Sequence, residues 1–387
     1  MAVKGDSPLG PTPHTPTPTA SLDSHLPVRI SKTDEQRRWF VQLAFRQTVH
    51  QYGTDLCWTP MILAKEFNRN EFARDSDLTI STTQPQPPTI LQFGANIPQE
   101  LARAASLAAP FVAGVDLNCG CPQSWACAET LGAALMDRRE LVRDMVVETR
   151  ARLGRDGWAV RLEEDVESAR GRSVSVKIRV HDDLRRTIDY LDTVIGHAQA
   201  RNVDWITIHP RTRYTPSTTP IFTESLDILT QKYSGTLPIL LSGDVFDLAA
   251  LPIRDTNPSS TFTTKDDSSS SPPSPKPKPS TTHLSGFMSA RGLLANPALY
   301  AGYSSCPWEA VEMLMCRIAR APLPYKLALH HIQEMTGPGM GPNKSALLSK
   351  RERAELNALG NMVDLVDFLD RKVEEHTGRV GGMRRDL

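Results

Sequence analysis

At 387 residues the chain is long enough for one large domain and a smaller one, and its 44 basic residues are matched by 44 acidic ones. That balance excludes a global field that would drive it onto polyanions or membranes, so a nucleic-acid partner has to be met by local patches. No apolar run reaches the length of a membrane span, and the six cysteines come without an apolar signal segment. Such a chain suits a reducing compartment better than a disulfide framework, so the expectation is a soluble protein of the cytoplasm, with the nucleus as alternative.

Taken from the N-terminus, residues 1–25 are rich in proline and threonine and are expected to form a disordered lead. Short apolar runs follow at 55–61, 89–95, 113–119, 174–180, 204–210, 237–243 and 285–291. Helical patterns fit between them, as at Pro98–Leu107, Gly132–Leu153 and Leu184–Arg201. Alternation on this scale predicts a parallel sheet covered by helices. Residues 254–283 interrupt it with a run rich in Pro and Ser and almost free of apolar side chains. Such a segment cannot bury enough surface to offset its ordering entropy, which predicts an exposed insertion. Beyond Trp308 the strand signal stops, and Trp308–Ala321, His330–Met335 and Ser349–Glu375 read as helices.

Residues two apart in a strand share a face. In "VSVKIRV", Val174, Val176, Ile178 and Val180 oppose Lys177 and Arg179; in "WITIHP", Ile206 and Ile208 oppose Thr207 and His209. Leu91 and Phe93 oppose Gln92, Val115 and Leu117 oppose Asp116 and Asn118, Leu241 opposes Ser242, and Met288 opposes Ser289 and Arg291. One face is apolar, and the other carries a polar group near its carboxyl end. An open doubly wound sheet is normally apolar on both faces. A closed barrel explains the asymmetry, with apolar residues against the helices and polar ones converging on the mouth. The fold class is therefore α/β: a TIM (β/α)8 barrel over residues 26–303 followed by a small all-α unit over 304–387. Seven strands are visible where closure needs eight.

The stretch "DLNCGCPQSWAC" gathers Cys119, Cys121 and Cys127. Zinc needs four ligands, usually from two pairs, and no second pair is near, so no metal is expected. Core packing and reactivity both stay open for a cysteine, but Cys121 follows a barrel strand between Gly120 and Pro122, where a thiol can serve as an acid. Lys177 inside a Val/Ile strand demands an ionic partner or a bound anion. Gln92, Asn118 and His209 each have bland readings as satisfied polar groups. Their convergence on one mouth argues for a ligand. Gly243 and Gly292 stand at the ends of the last two strands, where barrels hold phosphate, and Arg291 adds charge. A phosphorylated cofactor reaching from Gln92, Lys177 and His209 to that cup fits flavin mononucleotide.

The motifs "YGTDLCWTPMI", "ILQFGAN", "GVDLNCGCPQSWA", "VSVKIRVHDDLRRT", "WITIHPRTR", "LSGD" and "MSARGLLANPALYAG" together resemble the tRNA-dihydrouridine synthase family, in its eukaryotic branch associated with D-loop positions 20a and 20b. The resemblance implies an FMN barrel re-reduced by NADPH or NADH, reducing uridine to 5,6-dihydrouridine in tRNA, with the helical unit helping to hold the tRNA. It makes Cys121 the proton donor to C5, opposite the hydride delivered to C6. It makes Gln92, Lys177, His209, the Ser242–Gly243–Asp244 turn and Ala290–Arg291 the FMN contacts, and Asn118 and Arg179 the uracil contacts. A monomer is expected. The alternatives are a degenerate tRNA-binding relative that binds FMN weakly, and an FMN barrel acting on a free small molecule. Two departures stand out: Ser242 replaces the family's usual Asn, and the expected first strand is atypical or missing. Pro27–Lys32 only partly echoes the family's strand-and-turn motif, and Leu26, Val28 and Ile30 offer a short, edge-like substitute. A poorly formed first strand and weak FMN binding are the expectations there.

Overall fold

Parallel strands cannot be joined by tight turns, so each connection must cross back along the sheet, and helices make most of the described crossings. The computed structural model describes residues 28–31, 43–69, 71, 74, 78–80, 87–160, 169–251 and 283–385. The strands are β1 (Val28–Ser31), β2 (Leu56–Trp58), β3 (Ile62–Leu63), β4 (Thr89–Gly94), β5 (Gly114–Cys119), β6 (Ser173–Arg179), β7 (Trp205–His209), β8 (Ile239–Ser242) and β9 (Gly286–Ser289). All pairings are parallel. β1 bonds both β2 and β9, and β2 bonds β4, so eight strands close into a barrel while β3 merely extends the edge of β4.

The first strand is thus not missing: it forms at Val28–Ser31, where the sequence offered a short substitute. Ile30 pairs with Leu56 on one side and Met288 on the other. It is bonded along both sides and is not an edge. Its neighbours β2 and β9 are themselves only three and four residues long. Four residues of backbone therefore suffice to satisfy them, whatever the side chains. The polar stretch that precedes Pro27, the expected lead over 1–25, and the insertion up to residue 282 lie outside the described residues.

Alternation sorts the barrel into two cores. Outward-facing Leu91, Phe93, Val115, Leu117, Val174, Val176, Ile178, Ile206, Ile208 and Leu241 join one large buried cluster with the helices. Inside, Trp58, Ile90, Trp205, Leu240 and Met288 form a separate plug, with the two indoles edge-to-face at 6.2 Å. Met288 therefore faces inward, not towards the helices. Phe287 takes the outer position, and Ser289 donates from Oγ to the Val245 carbonyl at 2.6 Å. In so short a strand, two adjacent apolar residues make the pattern equally compatible with either face, and a one-residue flip exchanges them.

The barrel helices include α1 (Leu43–Gln51), α2 (Ala64–Arg69), α3 (Pro98–Ala108), α4 (Ser124–Ala128), α5 (Arg139–Arg155), α6 (Leu184–Ile195), α7 (Thr223–Tyr233) and α8 (Arg291–Ala295). Proline at its start and an alanine-rich buried face let α3 pack closely on α5. The helix expected from Gly132 begins as a 3-10 turn, Gly132–Asp137, before α5 starts at Arg139. After the barrel come α9 (Trp308–Arg320), α10 (Tyr325–Thr336), α11 (Lys350–Ala358) and α12 (Met362–Thr377). The Ser349–Glu375 pattern is two helices. Ser349 and Glu352 form a capping box on α11, and Asn361 restarts the chain as the cap of α12, accepting the Asp364 N–H at 3.0 Å. The outer core runs on without a break into Leu314, Leu365 and Phe368, and Phe45 of α1 stacks on His331 of α10 at 4.7 Å. Among the described residues, no helix is long and apolar enough to cross a membrane.

Candidate active site

Above the apolar plug, the inner faces of β4 to β7 turn polar, and low-dielectric surroundings force those groups to satisfy one another. Gln92 donates from Nε2 to Asp116 Oδ2 at 2.5 Å, and Ser175 donates from Oγ to Asp116 Oδ1 at 2.7 Å. Asn118 donates from Nδ2 to Gln92 Oε1 at 2.8 Å. Its own Oδ1 accepts the backbone N–H groups of Gly120 at 2.9 Å and Cys121 at 2.8 Å. Thr59 anchors the column from β2's end by accepting the Gln92 N–H at 3.0 Å. A line of buried hydrogen bonds thus runs from the barrel interior to the cysteine loop.

Cys121 lies beyond the carboxyl end of β5, but it is fully buried and packed with Ala126, Leu131, Met61 and Leu63. The thiol follows a barrel strand as the sequence places it, and it is covered. The reason is the turn that follows. The Cys121 carbonyl accepts the Ala133 N–H at 2.8 Å, and Gly132 sits at φ +57 where an added Cβ would lie 2.5 Å from that carbonyl oxygen. Only glycine brings the turn in so closely. Cys119 points the other way, into the helix layer beside Tyr190 of α6. Burial pushes its thiol up to about 12, with a bond to Tyr190 pulling in the opposite direction. Cys127 is half-buried, all six cysteines are free thiols, and no metal-binding cluster occurs among the described residues.

Strand register orders the remaining residues. Lys177 is flanked by Asn118 on β5 and Thr207 on β7, and Arg179 is level with His209. Arg179 donates from Nε to the Gly120 carbonyl and from a terminal nitrogen to the Thr212 carbonyl, both at 2.8 Å. It ties the loop after β5 to the loop after β7. Arg211, buried, was not singled out by strand parity because it follows the end of β7 and Pro210. It bonds His209 Nε2 at 2.9 Å and Asp244 at 2.5 Å. Asp244 in turn accepts the Ile221 N–H at 3.0 Å. Gly243 adopts φ +110, and a Cβ there would meet His209 Cδ2 and Ile221 Cγ2 at 2.9 Å. Ser242 faces inward beside Met288. Ala290 caps α8, Arg291 lies over the Phe246 ring at 5.4 Å, and Gly292 packs where a side chain would strike Ser289 and Val245. Ser175 and Thr207 also belong to the inner face. The alternation that marked Lys177 and His209 marks them equally. Four buried donors on the inner face have no hydrogen-bond partner among the described residues: Trp58 Nε1, Ser173 Oγ, Trp205 Nε1 and Thr207 Oγ1.

Fold and site define a barrel enzyme whose polar machinery lies at the carboxyl ends of its strands. Residues 39–253 match the family described as dihydrouridine synthase (Dus). The chain is 34% identical over 334 residues to a human protein named tRNA-dihydrouridine(20a/20b) synthase NAD(P)+-like, spanning 85% of this chain and 87% of that one. It is 32% identical over 337 residues to the Saccharomyces cerevisiae tRNA-dihydrouridine(20a/20b) synthase NAD(P)+, spanning 87% and 78%. A mouse protein named tRNA-dihydrouridine(16/17) synthase NAD(P)(+)-like is 26% identical over 75% of this chain and 52% of its own length. The chain belongs to the dihydrouridine synthase family, a family of enzymes that reduce uridine to dihydrouridine in tRNA.

Proposed function

We propose that this chain reduces uridine to 5,6-dihydrouridine at D-loop positions 20a and 20b of tRNA, using FMN re-reduced by NAD(P)H. The observation that carries the reading is the buried column from Gln92 and Asp116 through Asn118 to the backbone of Cys121. It links the interior of the barrel to Cys121, which packs at its mouth end. The residues suit FMN: a buried lysine and arginines suit its phosphate and the charge of its reduced ring, the positive-φ turn at Gly243 admits no side chain, and Thr207 Oγ1 stands unpaired. Gln92, Lys177 and His209 would hold the cofactor from the inner face, with Ser242, Gly243, Asp244, Ala290 and Arg291 at its phosphate. Bound and reduced, FMN supplies the hydride that adds to C6 of the uracil.

The chain's own residues do the rest. Cys121 holds the proton that C5 takes up, a general-acid role. Asn118 and Arg179 fix the loop on either side of Gly120, one gripping its N–H and the other its carbonyl. Covered by Ala126 and Leu131, the thiol is kept from bulk water until the base arrives. The target uridine must leave the folded tRNA to enter. Exposed Trp125 and Tyr214, the latter under the Arg213 guanidinium at 4.8 Å, offer flat surfaces for neighbouring bases. The helical unit over 304–387 holds the rest of a tRNA against a monomeric cytoplasmic enzyme. The test is direct. Purified protein, NADPH and unmodified tRNA should give dihydrouridine at 20a and 20b by position-resolved mapping. Flavin-loaded protein that yields none, or modifies other positions, would overturn the assignment.

A further inference from the structure

We propose that Thr207, through its hydroxyl, is a flavin-binding residue of this enzyme, donating a hydrogen bond to the polar edge of the ring beside Lys177. The inference rests on the FMN reading above and extends it to a residue outside the family motif's assigned contacts. Thr207 lies at the middle of β7, fully buried, on the inner face between Trp205 and His209. Its register neighbour on β6 is Lys177 and on β8 is Leu240. Lysine beside a threonine, with the Trp205–Trp58 floor below, makes a polar niche on an apolar base.

The hydroxyl in that niche has no hydrogen-bond partner among the described residues. A threonine at a strand centre normally solves this by bonding a neighbouring side chain or backbone group, because an unpaired buried hydroxyl costs stability. Ser175, two residues before Lys177 on β6, is committed to Asp116, which also accepts from Gln92. Valine would fill the same volume without that cost. A threonine retained with an unpaired hydroxyl, facing the same interior as Lys177, is explained by a ligand acceptor that completes it. A flavin presents such acceptors, the ring nitrogens and carbonyl oxygens, along one edge.

The experiment compares wild type, Thr207→Val and Thr207→Ser as full-length proteins. FMN dissociation constants come from fluorescence quenching, midpoint potentials from redox titration, and melting temperatures from the flavin-free proteins. Thr207→Val should weaken oxidised FMN about tenfold, the scale of one hydrogen bond. It should weaken reduced FMN more, since the reduced ring carries the greater negative charge. A further tenfold loss for the reduced form would lower the two-electron potential by about 30 mV. Thr207→Ser should stay within about twofold of wild type, and the flavin-free Thr207→Val protein should melt no lower than wild type. Unchanged affinity and potential in Thr207→Val would overturn the proposal, as would a lower melting temperature that accounts for the lost affinity. A wild type that binds no FMN at all would instead overturn the flavin reading itself.

Discussion

Two cysteines separated by a single glycine end up in opposite environments because β5 alternates up to its last residue. Cys119 completes the outward row of Val115 and Leu117, while Cys121, past the strand, is turned back by the bonds from Asn118 and Ala133. Their substitution should separate function from packing. Cys121→Ala should leave FMN binding intact and slow single-turnover uridine reduction by roughly 10²–10⁴-fold, the usual worth of general acid catalysis. Cys119→Ala should leave the rate within a few-fold of wild type and show its effect in melting temperature, because it removes a packed thiol beside Tyr190. Rapid-reaction measurements on both variants check this, and reversed effects would reassign the acid. Asn118 is the residue whose geometry is most informative. Its amide holds the loop and Gln92, so on the function proposed above it would position the uracil site as much as touch it.

At the scale of elements, β1 and α10 each make a joint on which the architecture depends. β1 bonds strands on both sides, and proline removes a ladder donor as well as clashing with the neighbouring chain. Ile30→Pro should therefore open the barrel between β9 and β2, lower the melting temperature by several degrees and promote association through the exposed edges, as seen by light scattering. α10 is joined to the barrel where His331 stacks on Phe45. Burial, with His330 adding repulsion, pushes the His331 imidazole down to about 3. In the unfolded chain it takes a proton below about 6.5, whereas the folded protein refuses it until near 3. The unfolded state then binds more protons across that window, so stability is full above pH 6.5 and falls as the pH drops. One group contributes a slope of up to about 1.4 kcal/mol per pH unit. Urea unfolding at pH 7.5, 6 and 5 should show a shallower fall for His331→Leu than for wild type. Equal slopes would assign the acid sensitivity to other groups.

For the whole molecule, the stretch between Leu251 and His283 enters the chain between β8 and β9, whose mutual pairing joins Leu240 to Gly286 and Ser242 to Met288. That parallel pairing needs a crossover of only about a dozen residues, and closure entropy changes only slowly with loop length. Deleting Asn257–Ser280 should leave melting temperature and turnover nearly unchanged, a result that thermal denaturation and steady-state assay can check. What the sequence determined by itself follows from local periodicity. Side chains alternate by covalent geometry, so "VSVKIRV" and "WITIHP" declared their inner and outer faces, and with them Lys177, Thr207 and His209, before any contact was known. The closed α/β barrel was legible for the same reason, whereas the family likeness was carried by the motifs themselves. Only the tertiary structure decided the rest. Met288 faces inward because β1 and β8 set the register of β9, not because of its neighbours in sequence. Val28–Ser31 forms a strand because two other strands offer it backbone partners. Cys121 is covered because Gly132 brings a turn onto its carbonyl, and Thr207 Oγ1 meets no hydrogen-bond partner among the described residues. Each of these outcomes depends on which distant groups meet in three dimensions, and that is information a local pattern does not hold.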